Sequence, residues 1–314
     1  MEKTFILILL LVASEAYGQL ASNFNSSKNW SMNKKEIFFT VGATQFLGDL
    51  GGRDKIGTQN SLADIDWGST RMGFGFGYRF RFHPMFATST HLYAGLLSGD
   101  DSKTNEIVRR SRNLHFRSPV VELSQRIEFN ILANEKIGAR YRINGAKGAR
   151  YKADILYVFT GIGGTFFNPQ ANINGSWENL RDLKTEGQGL SGGPDEYSKI
   201  TASIPLGIGF KLGIGQFWRI GMEFSYHKTF TDYMDDVSGN YYDPDILASE
   251  IGANAAYASN PAIENQGWFA PGQQRGNSDD EDAFFLANIV VTRNITYSKP
   301  KGVKRVKWKG RTKF

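Results

Sequence analysis

Hydrophobic and polar residues alternate with a period of two along seven separate stretches of this chain. The clearest is RMGFGFGYRFRF, Arg71 to Phe82. One set of alternate positions holds Arg71, Gly73, Gly75, Gly77, Arg79 and Arg81. The other holds Met72, Phe74, Phe76, Tyr78, Phe80 and Phe82. Period two marks a strand with two unlike faces. The same alternation recurs near 36–47, 86–97, 119–131, 200–212, 217–229 and 283–297, and the stretch near 154–167 joins them as the apolar, glycine-rich ILYVFTGIGGTFF. Each stretch reaches the roughly 9–11 residues that a tilted membrane strand needs.

Connection lengths add a second pattern. Short turns join strands two and three at His83-Pro84 and strands six and seven at Ile214-Gly215-Gln216. Long connections cover 49–69, 99–117, 168–199 and 230–282. Short turns at one end and long loops at the other are the habit of outer-membrane barrels. The 132–153 connection departs from it, being long where a short turn is expected.

A soluble β-sandwich also alternates, with its apolar face packed as a core and its polar face in water. Here the polar face carries glycine and charges of both signs, opposite a face that is almost wholly apolar. That combination suits a narrow barrel with polar residues inside and apolar residues toward lipid. Glycines leave room for larger neighbours in a lumen that side chains fill. The pattern predicts an all-β fold, an eight-stranded antiparallel transmembrane outer-membrane β-barrel spanning 36–298. It also predicts a lumen charge network of Arg79, Glu122, Arg126, Glu128, Arg219, Glu223 and His227, with His91 on the same inner face.

The N-terminus supports export. Lys3 precedes an apolar run from Phe5 to Val12, and small residues follow at Ala16 and Gly18. This reads as a signal peptide over 1–18, cleaved before Gln19, rather than a buried N-terminal helix. Residues 19–35, rich in Asn and Ser, are expected to be a flexible periplasmic segment. No later apolar run approaches the roughly 20 residues of a membrane helix. The chain has no cysteine, which removes disulfides, thiolate metal sites and a lipidated cysteine.

Charge is distributed by side. With both termini placed in the periplasm, the tail over 299–314 is basic and free of acids. The 132–153 connection is also basic. Together they supply candidate docking residues for a periplasmic partner: Arg140, Arg142, Lys147, Arg150, Lys304, Arg305, Lys307, Trp308 and Lys309. The 230–282 loop is acidic, so the net charge of +6 conceals a strong polarity. An acidic protein or lipid phosphate fits these basic runs in that compartment, and nucleic acid does not.

Catalytic signatures are absent: there is no P-loop, dinucleotide fingerprint, nucleophile elbow or zinc spacing. His227 shares a face with Glu223, a pair that could be imagined as acid and base, but no nucleophile stands in register with it. Asp235, Asp236, Asp243 and Asp245 lack the spacing of a twelve-residue calcium loop. No catalytic residue, metal or cofactor is assigned.

Several blocks carry a family likeness: GDL at 48–50, SGDD at 98–101, RNLHFRSPVVELSQRIEFN at 112–130, GIGGTFFNP at 161–169, WENLRDLKTEGQG at 177–189, IPLGIGFK at 204–211 and EFSYHKTFTDYMDDVSGNYYD at 223–243. In this order the chain resembles the PorG-like outer-membrane barrels of the type IX secretion system of Bacteroidota. The resemblance implies an eight-stranded barrel without enzymatic activity. It also implies contact with a periplasmic ring of a PorK-like lipoprotein and a PorN-like protein, linking protein secretion and gliding machinery to the outer membrane. The basic 132–153 connection and the basic tail depart from that pattern. The competing expectations are an outer-membrane enzyme using His227 and Glu223, and a small-ligand or pore barrel.

Overall fold

A computed structural model describes residues 34–50, 67–104, 106–136, 152–214, 217–262 and 264–295. The strands are β1 (Lys35–Leu47), β2 (Arg71–Arg81), β3 (Phe86–Asp100), β4 (His115–Lys136), β5 (Lys152–Phe167), β6 (Gln170–Ile173), β7 (Ser176–Asn179), β8 (Ile200–Gly213), β9 (Trp218–Thr229) and β10 (Ala283–Ile295). Four short helices accompany them: α1 (Ile107–Arg112), α2 (Leu180–Leu183), α3 (Pro244–Glu250) and α4 (Ala253–Ser259).

Eight strands close into one antiparallel barrel. Neighbours run β1, β2, β3, β4, β5, β8, β9, β10, and β10 pairs back onto β1 from Lys35↔Ile295 to Leu47↔Ala283. Closure leaves no unpaired edge. Outside one bulge in β4 the ladders hold one phase, so inward and outward positions do not exchange along a strand. On β1, Glu36, Phe38 and Thr40 face inward and are buried, while Phe39 and Val41 face outward and are exposed. The outer surface is apolar around the wall: Met72, Phe74 and Ile162 are 72%, 67% and 73% exposed. Water does not tolerate so large a contiguous apolar band on a monomer. Among the described residues no helix is long and apolar enough to cross a membrane. The barrel crosses with its strands and is of the outer-membrane type.

Three boundaries differ from the sequence-based expectation. First, β4 and β5 stay paired through a bulge between Asn130 and Leu132 and continue to Lys136↔Lys152. The connection is therefore 137–151 rather than 132–153, because a bulge bends a ladder without ending it. Second, Lys35 already belongs to β1, while the expected end of the barrel at 298 lies outside the described residues, which carry β10 as far as Ile295. Third, the long connections are not plain loops. The 168–199 segment contains the β6–β7 hairpin, which pairs with β4 through Arg117↔Gln170, and then α2. The 230–282 segment contains α3 and α4.

These connections fold over one rim, the loop rim. The main apolar core lies there and not mid-barrel: Phe46, Leu97, Phe116, Phe167 and Phe284 from the strand ends pack with Ile173, Leu180, Met234, Val237 and Ala258 from the loops. The opposite, turn rim carries the 82–85 turn and the 137–151 connection. The expected signal peptide, most of the 19–35 segment and the basic tail lie outside the described residues. So do Arg140, Arg142, Lys147, Arg150, Lys304, Arg305, Lys307, Trp308 and Lys309.

Candidate functional site

The lumen is filled by side chains in three tiers. In the tier nearest the turn rim, Glu36 is the hub. It accepts from Arg79 Nη1 at 3.1 Å and Lys211 Nζ at 3.1 Å, and it also pairs with Arg219. Arg79 Nε reaches Glu128 Oε2 at 2.6 Å, and Ser89 Oγ donates to Glu128 Oε1 at 2.6 Å. Arg219 also donates to Asn294 Oδ1 at 2.9 Å.

The middle tier centres on Glu223. Its two oxygens accept from Arg126 Nη1 at 2.7 Å and from the Tyr157 hydroxyl at 2.8 Å. Arg126 also donates to His91 Nδ1. That fixes Nδ1 as the acceptor, so His91 Nε2 carries its proton and donates to Thr40 Oγ1 at 3.1 Å. Aromatic faces complete the lining. Arg79 lies 4.6 Å from the Phe38 ring centroid, Arg126 4.7 Å from Phe159 and Lys211 Nζ 4.9 Å from Tyr157.

The upper tier joins Glu122 to His227 Nδ1 at 2.8 Å, with Ser203 Oγ donating to the same carboxylate at 2.9 Å. Four cations (Arg79, Arg126, Lys211, Arg219) thus face four carboxylates (Glu36, Glu122, Glu128, Glu223), all buried. A buried charge is costly alone and tolerable in such a matched set.

The structure puts all seven sequence-proposed lumen residues, Arg79, Glu122, Arg126, Glu128, Arg219, Glu223 and His227, inside the barrel. It does not bring His227 to Glu223. They are four residues apart on β9, about 13 Å at a strand's rise, so same-face position does not mean contact. His227 pairs across the barrel with Glu122 instead. Glu36, Lys211 and Tyr157 were missed. Glu36 and Lys211 do sit in phase with the polar sets of their strands. Tyr157 lies in ILYVFTGIGGTFF, where apolar residues on both faces erase the alternation.

One arrangement was not expected. Ser225 Oγ lies 2.9 Å from His227 Nε2, and His227 Nδ1 lies 2.8 Å from Glu122 Oε2. Serine, histidine and carboxylate are linked in the order that acyl transfer uses. The surroundings are unsuited to it. Each of the three is at most 1% exposed, and His227 stacks on Phe284 with centroids 4.6 Å apart. Ser225 and its cross-strand neighbours Gly207 and Leu286 lie within continuous ladders, so their backbone donors are already engaged and form no oxyanion hole.

Over the loop rim, buried ion pairs and carboxylates clasp four connections together. Arg112, from the β3–β4 connection, binds Asp101 at 2.7 Å, the Asp49 carbonyl at 2.9 Å and the Arg275 carbonyl at 2.8 Å. Glu186, after α2, accepts from the Ser238 and Gly239 amides at 2.9 and 3.1 Å and from Arg275 Nη1 at 2.9 Å. Asp236 accepts from the Tyr197 hydroxyl at 2.6 Å and from Thr185. Asp235 holds the Leu50 and Val237 amides, each at 3.0 Å, and Asp282 holds the Met234 amide at 2.8 Å. Burial raises the pKa of Asp236 to about 6 and of Asp232 to about 8. Asp235 and Asp282 are also pushed up, by burial and then by neighbouring acids.

The calcium candidates do not converge. Asp235 and Asp236 turn to different partners, and Asp243 caps α3 by accepting from the Asp245 amide at 2.9 Å. No group of three or more His, Cys, Asp or Glu among the described residues is arranged to hold a metal ion.

No protein-family model and no curated protein matches the chain. Among solved structures, it is similar to Ail, the attachment invasion locus protein of Yersinia pestis, crystallised with the heparin analogue sucrose octasulfate. That match has 11% identity, 83% coverage of this chain, 99% of that one and a TM-score of 0.35. It is also similar to the outer membrane protein OprG from Pseudomonas aeruginosa, with 8% identity, 84% and 98% coverage and a TM-score of 0.35. At these values neither likeness carries weight for function, and the assignment of the chain as a closed eight-stranded barrel rests on its own ladders and faces.

Proposed function

We propose that this barrel is a non-enzymatic outer-membrane component of the type IX secretion machinery, organising a periplasmic ring at the membrane. In this reading the loop rim faces outward and both termini lie in the periplasm. The basic connection and tail, with Arg140, Arg142, Lys147, Arg150, Lys304, Arg305, Lys307, Trp308 and Lys309, meet a PorK-like lipoprotein and a PorN-like protein. The supporting observation is the clasped cap. It is built largely from the blocks that carry the family resemblance: Thr185 and Glu186 in one bind Asp236, Ser238 and Gly239 in another. A lumen closed by eight matched charges suits an anchor better than a conduit.

The test is cross-linked recovery from outer membranes. The intact barrel should bring down the ring lipoprotein, and deletion of 299–314 should reduce that recovery while leaving the barrel folded. Recovery unchanged by the deletion removes the tail from the mechanism; absence of ring proteins with the intact chain contradicts the reading.

The Ser225–His227–Glu122 linkage favours a second reading, an acyl-transfer enzyme. A fluorophosphonate probe decides between them. The anchor reading expects no labelling at Ser225, whereas labelling that His227→Ala abolishes would establish the enzyme.

A further inference from the structure

Among the described residues, the lipid-facing wall has one polar cluster away from the strand ends, on β3, β4 and β5. Thr88, Thr90, Gln125 and Thr160 all point outward, where the rest of the band is apolar. They are not at a rim. Along β4, Gln125 is flanked on the same face by Val121 and Leu123 on one side and Ile127 and Phe129 on the other. In register, Thr90 pairs with Gln125, and Thr88 and Thr160 both pair with Ile127.

The patch is partly self-satisfied. Thr90 Oγ1 donates to Gln125 Oε1 at 2.6 Å, and Gln125 Nε2 donates to Thr88 Oγ1 at 2.6 Å. Thr88 in turn donates to the Arg126 carbonyl at 3.0 Å. A carboxamide has two N–H donors and an oxygen with two lone pairs. After these bonds Gln125 retains one donor and one acceptor site that point into hydrocarbon, where no water can serve them. The adjoining wall is also low. Ala94 and Gly164 stand beside Val121 and Leu123, and a Cβ built at Gly164 would meet nothing within 4 Å. The wall of β9, with Trp218, Ile220, Met222 and Phe224, is bulky by contrast. Small residues beside polar ones are what lets two membrane segments approach and hydrogen-bond.

We infer that this patch is the contact surface for a second copy of the same chain. Two barrels inserted in the same direction are related by a two-fold axis along the membrane normal. That axis sets each residue opposite its own counterpart at the same depth. Glutamine and threonine both donate and accept, so the patch complements itself. The spare Gln125 N–H of each copy meets the spare Gln125 oxygen of the other. The inference depends on the barrel alone and stands apart from the secretion reading.

The absence of native cysteine makes the test clean. Leu123→Cys and Ile162→Cys place single thiols beside the patch, and Met222→Cys places one on the far wall. With a short bis-maleimide in native outer membranes, the first two should give a homodimer and the third should not. In detergent, Gln125→Leu should weaken self-association about tenfold, the scale of the two symmetry-related intramembrane hydrogen bonds it removes. It should leave heat-modifiable gel migration, the mark of a folded barrel, unchanged. A monomer at all detergent ratios, equal cross-linking from Met222→Cys, or cross-links only to a different polypeptide would each overturn the inference.

Discussion

Glu36 faces three cations at once: Arg79, Lys211 and Arg219. Removing it leaves like charges together in a low-dielectric interior, so Glu36→Ala should destabilise the barrel by about 3–5 kcal/mol. Denaturant unfolding in lipid vesicles measures this, and a loss under about 1 kcal/mol would mean that the lumen is water-filled. In the cap, the signs run the other way. Asp236 and Asp232 hold their protons more tightly in the closed cap than the ordinary carboxyl near 3.8. Their stabilising contribution is complete below that value and is lost as pH rises through about 6 and about 8. Hydrogen exchange in 230–282, corrected for intrinsic rates, should therefore quicken from pH 4 to pH 8, and Asp232→Asn should flatten the upper part of that rise. At this scale the sequence was half legible. Alternation put Arg126 and Glu223 on one inner face, but partners came from other strands. The Arg126–Glu223 pair joins β4 to β9, which are not neighbours in the barrel. No period along one strand encodes that pairing.

Strand phase explains the glycines of β2 and β8. A Cβ at Gly77 would lie 2.2 Å from the Phe38 ring, and one at Gly209 would lie 2.4 Å from the Tyr157 ring. Each glycine makes room for an aromatic that in turn supports an arginine or lysine. Gly209→Val should displace Tyr157, break its bond to Glu223 and reduce folding yield in vesicles. The outward phase makes a separate prediction. Phe74→Lys at mid-band should cost about 2–4 kcal/mol. Ile107→Lys, on exposed α1, should fall within about 0.5 kcal/mol. Equal costs at both sites would deny the wall its lipid contact. Seven of the eight barrel strands were readable because a two-sided wall demands strict alternation over many residues, and β5 was readable as an apolar, glycine-rich run of strand length. β6, β7 and the short helices were not. At four to seven residues they are too brief for a period to show, and their stability comes from packing against the strand ends. Asp243-Pro244 is a helix-start signal visible in the sequence, but the acids around it made the stretch read as a plain acidic surface loop.

Together the charged plug, the apolar core at the loop rim and the clasped cap make a barrel closed along its length. Planar-bilayer recordings should show no steady conductance, and a stable open level would contradict the filled lumen. The enclosing arrangement also decides where function can reside: on the rims and the outer wall, the surfaces a partner can reach. All of this depends on which face meets lipid. Spin labels on single cysteines at Phe74 and Met222, compared with Ile107 on the exposed cap, report that directly in vesicles. Collision with oxygen should dominate at Phe74 and Met222, and collision with a water-soluble nickel chelate should dominate at Ile107. Strong nickel accessibility at Phe74 and Met222 would show an aqueous outer wall and contradict the transmembrane barrel.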